Sequence, residues 1–248
     1  MVRLGVLTIG QSPRTELVED LRRWLPAGTE IVEAGVLDGL DLPQVLALAP
    51  VSGDPADAHV LTTSLPDGTT VVLAERHVVD RLPAALAQLE GEVDLTFLVC
   101  TGTFPEFPHA KPLVSPEDLI TAGVVGLAAG AAHVGVICPL PEQVDTTRRK
   151  FGPRLAPGTT LHVEVASPYT ATAEEMSAAA RRLAAAGAEL VALDCMGYTD
   201  TTRAIVARAA GVPVVVARSV AARLVAELVD SAAASSDTAP SLAPTIAR

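Results

Sequence analysis

The sequence has no long apolar run and few aromatic residues, and these two absences exclude several classes of protein. Phe, Trp and Tyr make up only 3% of the 248 residues, so a core must be built mainly from Val, Leu and Ala. No stretch reaches the ~18 uninterrupted apolar residues of a membrane span, so we expect no membrane association. The start, Met1-Val2-Arg3-Leu4-Gly5-Val6, reads as a strand and lacks the features of a signal peptide, which predicts a cytoplasmic protein.

The chain also lacks an excess of basic residues. It has 18 Lys and Arg against 29 Asp and Glu, for a net charge of −11. Binding to nucleic acid needs a basic stripe that neutralises phosphates, so no nucleic-acid partner is expected. The one basic triplet, Arg148-Arg149-Lys150, is interpreted as a solvated helix face.

Motifs for metals, cofactors and disulfides are missing as well. The three cysteines are far apart and odd in number, which suits a reducing compartment better than a disulfide framework. Cys and His never fall at ligand spacing, and Gly10-Gln11-Ser12 does not match a phosphate-loop or dinucleotide fingerprint. We therefore expect no metal and no cofactor.

What the sequence does contain is an alternation of short β-branched runs with longer helical stretches. This pattern predicts an α/β fold with parallel strands joined by crossover helices. The predicted strands are 4–9, 30–36, 70–74, 95–100, 134–138, 160–165, 190–195 and 212–216. Helices are predicted after Ser12 as N-cap and Pro13 as first residue, and over 76–90, 116–126, 142–151, 172–186, 201–210 and 219–230. The turn Pro66-Asp67-Gly68-Thr69 predicts a β-hairpin over 60–74.

A weak internal repeat divides the chain into related halves. Leu4-Gly5-Val6-Leu7-Thr8 resembles Val134-Gly135-Val136-Ile137-Cys138, and each copy is followed by a turn containing proline and then by a helix. We therefore predict two pseudo-symmetric parallel-sheet α/β domains, with the active site in the cleft between them. The predicted domains are 1–112 plus 213–230, and 113–212. Residues 231–248, rich in Ala, Ser and Pro, are predicted to be a disordered tail.

Each half carries a cysteine at the end of an apolar strand, Cys100 in the first and Cys195 in the second. Ligands of open parallel sheets sit beyond the carboxyl ends of the strands. Two facing thiols suit proton transfer at a carbon next to a carboxylate: a thiolate removes the α-proton and the opposite thiol returns one. Thiolate formation would need a lowered pKa, which a helix N-terminus can supply. The competing interpretation is that each cysteine is a small apolar core residue, and for Cys138 this is the favoured one.

Candidate substrate-binding residues lie in the turns at the same edge of the sheets. Small and hydroxylic residues there let the backbone approach a carboxylate. Glu75-Arg76-His77, after the hairpin, is placed at a solvated helix start in preference to the cleft, and Ser12 has the alternative role of N-cap. The full predicted set is Gln11, Ser12, Arg14, Thr101, Gly102, Thr103, Met196, Gly197, Tyr198 and Thr199.

Two of these segments resemble a known family. Ile9-Gly10-Gln11-Ser12-Pro13-Arg14 and Leu193-Asp194-Cys195-Met196-Gly197-Tyr198 look like the AroM family of the aspartate/glutamate racemase superfamily, and the resemblance runs from about 4 to 230. It implies two pseudo-symmetric α/β domains and cofactor-independent proton transfer by Cys100 and Cys195 on a small carboxylate-bearing substrate. It also suggests a homodimer.

The turns after the cysteines depart from the superfamily's usual pattern. Amino-acid racemases typically have Cys-Asn-Thr and Gly-Cys-Thr, whereas this chain has Cys100-Thr101-Gly102 and Asp194-Cys195-Met196. The leading hypothesis is therefore a racemase or epimerase of an amino acid or derivative whose identity is open. The alternatives are a decarboxylase or cis-trans isomerase that uses one cysteine, and a non-catalytic small-molecule sensor.

Overall fold

The computed structural model describes residues 1–236, with side chains up to residue 233. The strands are β1 Arg3–Thr8, β2 Glu30–Gly35, β3 Val60–Ser64, β4 Thr70–Ala74, β5 Leu95–Leu98, β6 Leu113–Val114, β7 His133–Cys138, β8 Thr160–Val165, β9 Leu190–Leu193 and β10 Val214–Val216. The helices are α1 Thr15–Arg22, α2 Leu42–Leu46, α3 Glu75–Glu90, α4 Pro116–Leu127, α5 Val144–Phe151, α6 Ala173–Ala185, α7 Asp200–Ala210 and α8 Ala217–Ser236.

Two four-stranded parallel sheets have the same internal order. The first runs β2-β1-β5-β6 and the second, written from the same side, β8-β7-β9-β10. All strand pairs within both sheets are parallel. The predicted α/β class with two pseudo-symmetric halves is therefore confirmed.

One pair of equivalent glycines makes the same close packing contact in both halves. A Cβ atom added to Gly5 in β1 would lie 3.0 Å from Leu89 Cδ2, and one added to Gly135 in β7 would lie 2.9 Å from Leu183 Cδ1. In each half a helix leucine thus packs directly on the backbone of the first strand. The central strands also share one apolar core across both sheets, in which Leu4 and Val134 are fully buried.

The predicted hairpin forms, as β3 and β4 pair in antiparallel register from Val60 opposite Ala74 to Ser64 opposite Thr70. It stands apart from both sheets as a separate two-stranded element. Its residue Val60 accepts a hydrogen bond at 3.0 Å from Gln143 Nε2 in the second half. The hairpin of the first half thereby touches the second half beside the sheet edges.

The predicted domain limits need two corrections. The strand β6 was assigned to the second domain but pairs with β5 of the first sheet, and β10 was assigned to the first domain but pairs with β9 of the second sheet. The first half of the chain therefore includes β6 and the second half includes β10, so each half ends one strand later than predicted. The helices that follow, α4 and α8, pack against each other, and their division between the domains stays a prediction.

Helix α8 corrects the tail prediction in part. It continues to Ser236, so residues 231–236 are helical and not disordered. Alanine, which dominates this stretch, is the best helix former. The remainder of the predicted tail, 237–248, lies outside the described residues.

Candidate active site

The two cysteines of the repeat occupy equivalent positions and line one cavity. The strands β5 and β9 end two residues before Cys100 and Cys195, and not at the cysteines as predicted. Each cysteine lies five residues after the first residue of its strand. Those first residues have equivalent partners in the neighbouring strand, Leu95 opposite Leu4 and Leu190 opposite Val134. Both thiols lie on a cavity of about 430 Å³ between the halves, which we call the cysteine cavity.

The local geometry of the two thiols is also the same. The N–H of Gly102 donates to Cys100 Sγ at 3.3 Å, and that of Gly197 donates to Cys195 Sγ at 3.4 Å. A backbone donor two residues on stabilises negative charge on sulfur. Each half therefore presents a thiol with one donor already in place for a thiolate.

Burial opposes ionisation of both thiols. It raises the pKa of Cys100 to about 12 and raises the pKa of Cys195. The expectation of a pKa lowered by a helix N-terminus is wrong, because the segment after Cys100 is irregular up to β6 and α7 begins only at Asp200. Removal from water favours the neutral thiol and outweighs the nearby donors.

The groups around the two thiols differ. Burial raises the pKa of Cys195 and the charge of Asp194 adds to this rise, whereas the Gly197 N–H, the Tyr169 side chain and the charge of Arg218 lower that pKa. For Cys100 the groups that lower the pKa are the Gly102 N–H and the charge of Lys150. The two thiols thus have unequal surroundings on a symmetric scaffold.

Arg218 holds the Cys195 turn from behind. Its Nε donates to the carbonyl of Met196 at 2.7 Å, and its Nη1 lies 2.6 Å from Asp20 Oδ2. The side chain is buried, at 5% exposure, and Arg218 is the second residue of helix α8, which follows β10 directly. A positive charge therefore sits behind the turn without occupying the cavity.

A buried ion pair ties the two cysteine turns together. Lys150 Nζ lies 2.8 Å from Asp194 Oδ1 and donates at 2.8 Å to the carbonyl of Thr101. Thr101 Oγ1 in turn donates to the carbonyl of Asp194 at 3.3 Å. Lys150 belongs to the basic triplet interpreted as solvated, and that interpretation is wrong for this residue, which is only 7% exposed.

Arg14 is the cationic side chain on the wall of the cysteine cavity nearest the first strand. It is 5% exposed, and its Nη1 donates to Thr63 Oγ1 at 3.0 Å. Its Nε and Nη2 are held by Glu16 Oε1 at 2.8 and 2.6 Å. Tyr169 lines the same cavity and interacts electrostatically with the guanidinium. Arg14 and Tyr169 thus connect the first half to Cys195 of the second.

The structure brings six of the predicted binding residues to this region. Arg14, Thr101, Gly102 and Met196 line the cysteine cavity, Thr103 lines an adjoining one, and Gly197 donates to Cys195. A Cβ atom on Gly197 would lie 2.8 Å from Tyr169 Oη, so only glycine allows that close approach.

Four predicted residues make other contacts, which corrects their assignment. Gln11 Nε2 donates to the carbonyls of Leu37 and Leu40. Ser12 Oγ donates to Asp38, and it is not an N-cap, because α1 begins at Thr15 with Arg14 as its N-cap.

The other two do not line the cysteine cavity. Tyr198 is fully buried and donates from its hydroxyl to the carbonyl of Ala166 at 2.7 Å. Thr199 caps α7, accepting from the N–H of Thr202. Both side chains make contacts of the local fold.

Sequence reasoning missed several cavity residues, most of which lie far from the cysteines along the chain. They come from the hairpin, from the loop after β8, from helix α5 and the residue before it, and from the residue before Cys195, and are Leu61, Thr62, Thr63, Gln143, Lys150, Tyr169 and Asp194. For Tyr169 a signal existed, because the loop after β8 opens at the same sheet edge as both cysteines.

A second cavity, of about 440 Å³, adjoins the first and is lined mainly by polar side chains. We call it the polar cavity. It shares Leu61, Thr101, Gly102, Gln143 and Asp194 with the cysteine cavity. Its further lining is His59, Val60, Glu75, Thr103, Cys138, Thr146, Thr147 and Lys150.

This lining settles the place of two uncertain residues. Glu75 lies in the cleft, although a solvated helix start was the favoured interpretation. Cys138 is 1% exposed, and burial raises the pKa of its thiol to about 11. It is the third thiol of the region, and its Sγ donates to the carbonyls of Leu140 and Glu164, each at 3.6 Å.

The described residues contain neither a cluster of metal ligands nor a membrane-spanning helix. Among residues 1–236, no group of three or more His, Cys, Asp or Glu side chains could hold a metal ion. Within the same described part of the chain, no helix is long and apolar enough to cross a membrane.

Solved structures with this arrangement are distant in sequence. The chain is similar to allantoin racemase from Pseudomonas fluorescens, with 16% identity, a TM-score of 0.52 and coverage of 93% of this chain and 92% of that one. It is similar to glutamate racemase from Francisella tularensis in complex with D-glutamate, with 13% identity, a TM-score of 0.57 and coverage of 94% and 82%. Unliganded arylmalonate decarboxylase matches with 14% identity, a TM-score of 0.53 and coverage of 92% of each chain.

At these identities the likeness shows a shared fold. No curated protein sequence matches the chain significantly. The model of the AroM protein family, by contrast, matches residues 4–229, which is most of the chain. The chain therefore belongs to the AroM family and has the fold of the aspartate, glutamate and allantoin racemases.

Proposed function

We propose that this protein is a cofactor-independent racemase or epimerase of a small carboxylate-bearing substrate, with Cys100 and Cys195 as the proton-transfer pair. The observation that carries the proposal is the equivalent placement of the two thiols. Cys100 follows β5, which pairs with β1, and Cys195 follows β9, which pairs with β7. Each thiol accepts an N–H from the glycine two residues on, and both line one cavity.

The reaction balances with one thiolate and one thiol. The thiolate takes the α-proton, and the electron pair of the broken C–H bond moves into the carboxylate to give an enediolate. The opposite thiol then gives its proton to the other face of the carbon and becomes the thiolate. No electron acceptor or metal ion enters the balance, and the next turnover can run in the reverse direction.

We assign the role of first base to Cys195. Burial and the charge of Asp194 raise its pKa, but the Gly197 N–H, the Tyr169 side chain and the charge of Arg218 act in the opposite direction. Cys100, whose pKa burial raises to about 12, would begin as the acid. Hydrogen-bond donors and cations favour the ionised form of a thiol.

The carboxylate of the substrate is assigned to the wall made by Arg14 and the hairpin. Arg14 Nη1 faces the cavity side at Thr63, and the negative charge of an enediolate needs such a preorganised donor. Thr62 and the Thr101-Gly102 turn complete this wall. Since one cavity brings both thiols, Arg14 and the hairpin together, the substrate is expected to be small.

The unequal surroundings of the thiols favour one other candidate function, a decarboxylase or isomerase that uses a single cysteine. In that case Cys195, with Tyr169 and Arg218 beside it, would be the reactive residue. The two candidates differ in the effect of removing Cys100: the two-thiol reaction stops, and the one-thiol reaction continues.

The test is α-proton exchange in D₂O, followed by proton NMR. We would screen both enantiomers of α-amino acids and of their N-acyl and N-carbamoyl derivatives with the native protein and with Cys100→Ser, Cys195→Ser and Cys138→Ser. The proposal expects exchange and racemisation of at least one compound by the native protein and by Cys138→Ser, and no racemisation by the other two variants. Absence of exchange across the panel, or unchanged racemisation by both Cys100→Ser and Cys195→Ser, would overturn it.

A further inference from the structure

The polar cavity contains two acceptor groups for which the protein provides no donor. It opens off the cysteine cavity, sharing the Thr101-Gly102 turn and Gln143 as wall. A substrate whose α-carbon lies between the thiols can therefore extend into it. Its lining decides what kind of group that extension carries.

The first unmatched acceptor is Gln143 Oε1. The amide orientation is fixed, because Nε2 donates to the carbonyl of Val60 at 3.0 Å. Oε1 then faces away from that carbonyl and is shielded from solvent, and it has no hydrogen-bond partner within the described part of the chain. A buried acceptor without a donor is costly, and native proteins usually provide one from protein, water or ligand.

The second is the carboxylate of Glu75, at the start of helix α3. Burial raises its pKa, and among the described residues it has neither a hydrogen bond nor an ion pair through its side chain. His59, the group that opposes this shift, is exposed and already contacts Thr146 Oγ1 at 3.4 Å. A half-buried carboxylate of this kind lacks a cation.

The nearest protein cation does not fill this need. Lys150 lines the same cavity, but its ammonium donates to Asp194 and to the carbonyl of Thr101. Its charge is therefore matched within the buried pair. Glu75 and Gln143 remain as two acceptors of one cavity.

We propose that the polar cavity binds a cationic, N–H-bearing group at the far end of the substrate, held by the Glu75 carboxylate and by Gln143 Oε1. This inference rests on the proposed function for the position of the α-carbon, and it adds the substrate class: a small carboxylate with a second, basic amine. Charge-assisted hydrogen bonds to such a group are about twice as strong as neutral ones.

The proposed group would also assist the chemistry. In the free protein, burial keeps both thiols protonated near neutral pH. A positive charge brought into the adjoining cavity favours the thiolate form of a nearby thiol. Binding of the correct substrate would then help create the base that acts on it.

The test compares matched acids that differ only in the terminal amine. The pairs are 2,4-diaminobutanoate with 2-aminobutanoate, ornithine with norvaline, and lysine with norleucine, each as both enantiomers. Binding to the full-length protein is measured by calorimetry, and no turnover is needed. The three lengths allow for the reach between the cavities, and the proposal expects the diamine of at least one pair to bind about tenfold or more tightly than its partner.

Three variants assign that preference to its residues. In Glu75→Gln and in Gln143→Met the diamine preference should fall to near unity, whereas Glu142→Gln, which removes an exposed carboxylate next to Gln143 and outside the polar cavity, should keep it. Gln143→Met also loses the bond to Val60, so Glu75→Gln is the deciding variant. Equal binding within all pairs, no binding by any diamine, or a preference unchanged in Glu75→Gln would overturn the inference. A diamine preference without α-proton exchange would uphold this site and count against the proposed reaction.

Discussion

Lys150 Nζ lies 2.8 and 3.0 Å from the two carboxylate oxygens of Asp194, and both side chains are shielded from water. Asp194 directly precedes Cys195, and the same ammonium also binds the residue after Cys100. One ion pair therefore sets the position of both cysteine turns relative to each other.

Removal of Lys150 should cost stability because it leaves a buried, unpaired carboxylate. For Lys150→Met we expect a loss of about 3–5 kcal/mol in the free energy of unfolding, measured by urea denaturation at neutral pH. The double variant Lys150→Met with Asp194→Asn should be more stable than the single one, since no uncompensated charge remains. A double variant as unstable as the sum of both single changes would show that the pair's charges do not interact.

The same ion pair should control thiol ionisation. Asp194 raises the pKa of Cys100 and of Cys195, and Lys150 lowers that of Cys100. Asp194→Asn should therefore lower the pH at which thiolate absorbance appears, with Cys138→Ser as the common background to remove the third thiol. Unchanged thiolate titration in this variant would show that Asp194 acts only on the backbone of the turn.

Stability should fall at alkaline pH. The pKa of Cys100 is about 12 and that of Cys138 about 11 in the folded protein, against an ordinary value near 9. Because the folded pKa is raised, the protonated form is favoured by folding, and this contribution is complete below the unfolded pKa and is lost as the pH rises through the folded one. Each such thiol contributes a slope of about −1.4 kcal/mol per pH unit in the unfolding free energy between these values.

Cys138→Ala provides the control for this slope. It removes one raised thiol without touching the proposed pair. The unfolding free energy measured from pH 9 to 11 should therefore decline less steeply than in the native protein, by about one proton's worth. An identical slope in the two proteins would contradict a raised pKa of Cys138 in the folded protein.

Gly197 should be intolerant of a side chain. A Cβ atom there would lie 2.7 Å from Pro168 Cγ and from Tyr169 Cζ, so Gly197→Ala must displace the tyrosine that bonds to Cys195. We expect α-proton exchange to slow by at least about tenfold, which corresponds to a loss of about 1.4 kcal/mol in transition-state stabilisation. Thiolate absorbance should appear at a higher pH, because the displaced tyrosine no longer stabilises the Cys195 thiolate. Gly126→Ala, where no atom lies within 4 Å, should leave exchange unchanged and cost no stability.

The sequence carried enough information to predict the fold and the equivalent places of Cys100 and Cys195 in the two halves. Apolar strands, helices between them and the Gly5/Gly135 repeat all follow from local patterns, and so does the place of a cysteine just beyond β5 and just beyond β9. Ser12 was misassigned because a serine before a proline is the usual start of a helix, whereas here its hydroxyl bonds to Asp38, a residue far along the chain.

The surroundings of the thiols could not be predicted in the same way. Lys150 and Gln143 reach the cavities only because two halves and a hairpin pack together, and no spacing in the sequence encodes that contact. Tyr198 shows the reverse error: it lies next to the cysteine turn in sequence, but its ring fills the core and its hydroxyl satisfies a buried carbonyl.

The measurement that tests the central claim most directly is enantiomer-specific exchange by the single-cysteine variants. With a compound that the native protein racemises, each remaining thiol can still remove the proton on its own face, exchange it with D₂O and return deuterium to that same face. Cys100→Ser should then label one enantiomer and Cys195→Ser the other, both without racemisation. If both variants label the same enantiomer, or if one of them still racemises at the native rate, the two cysteines are not an opposed proton-transfer pair.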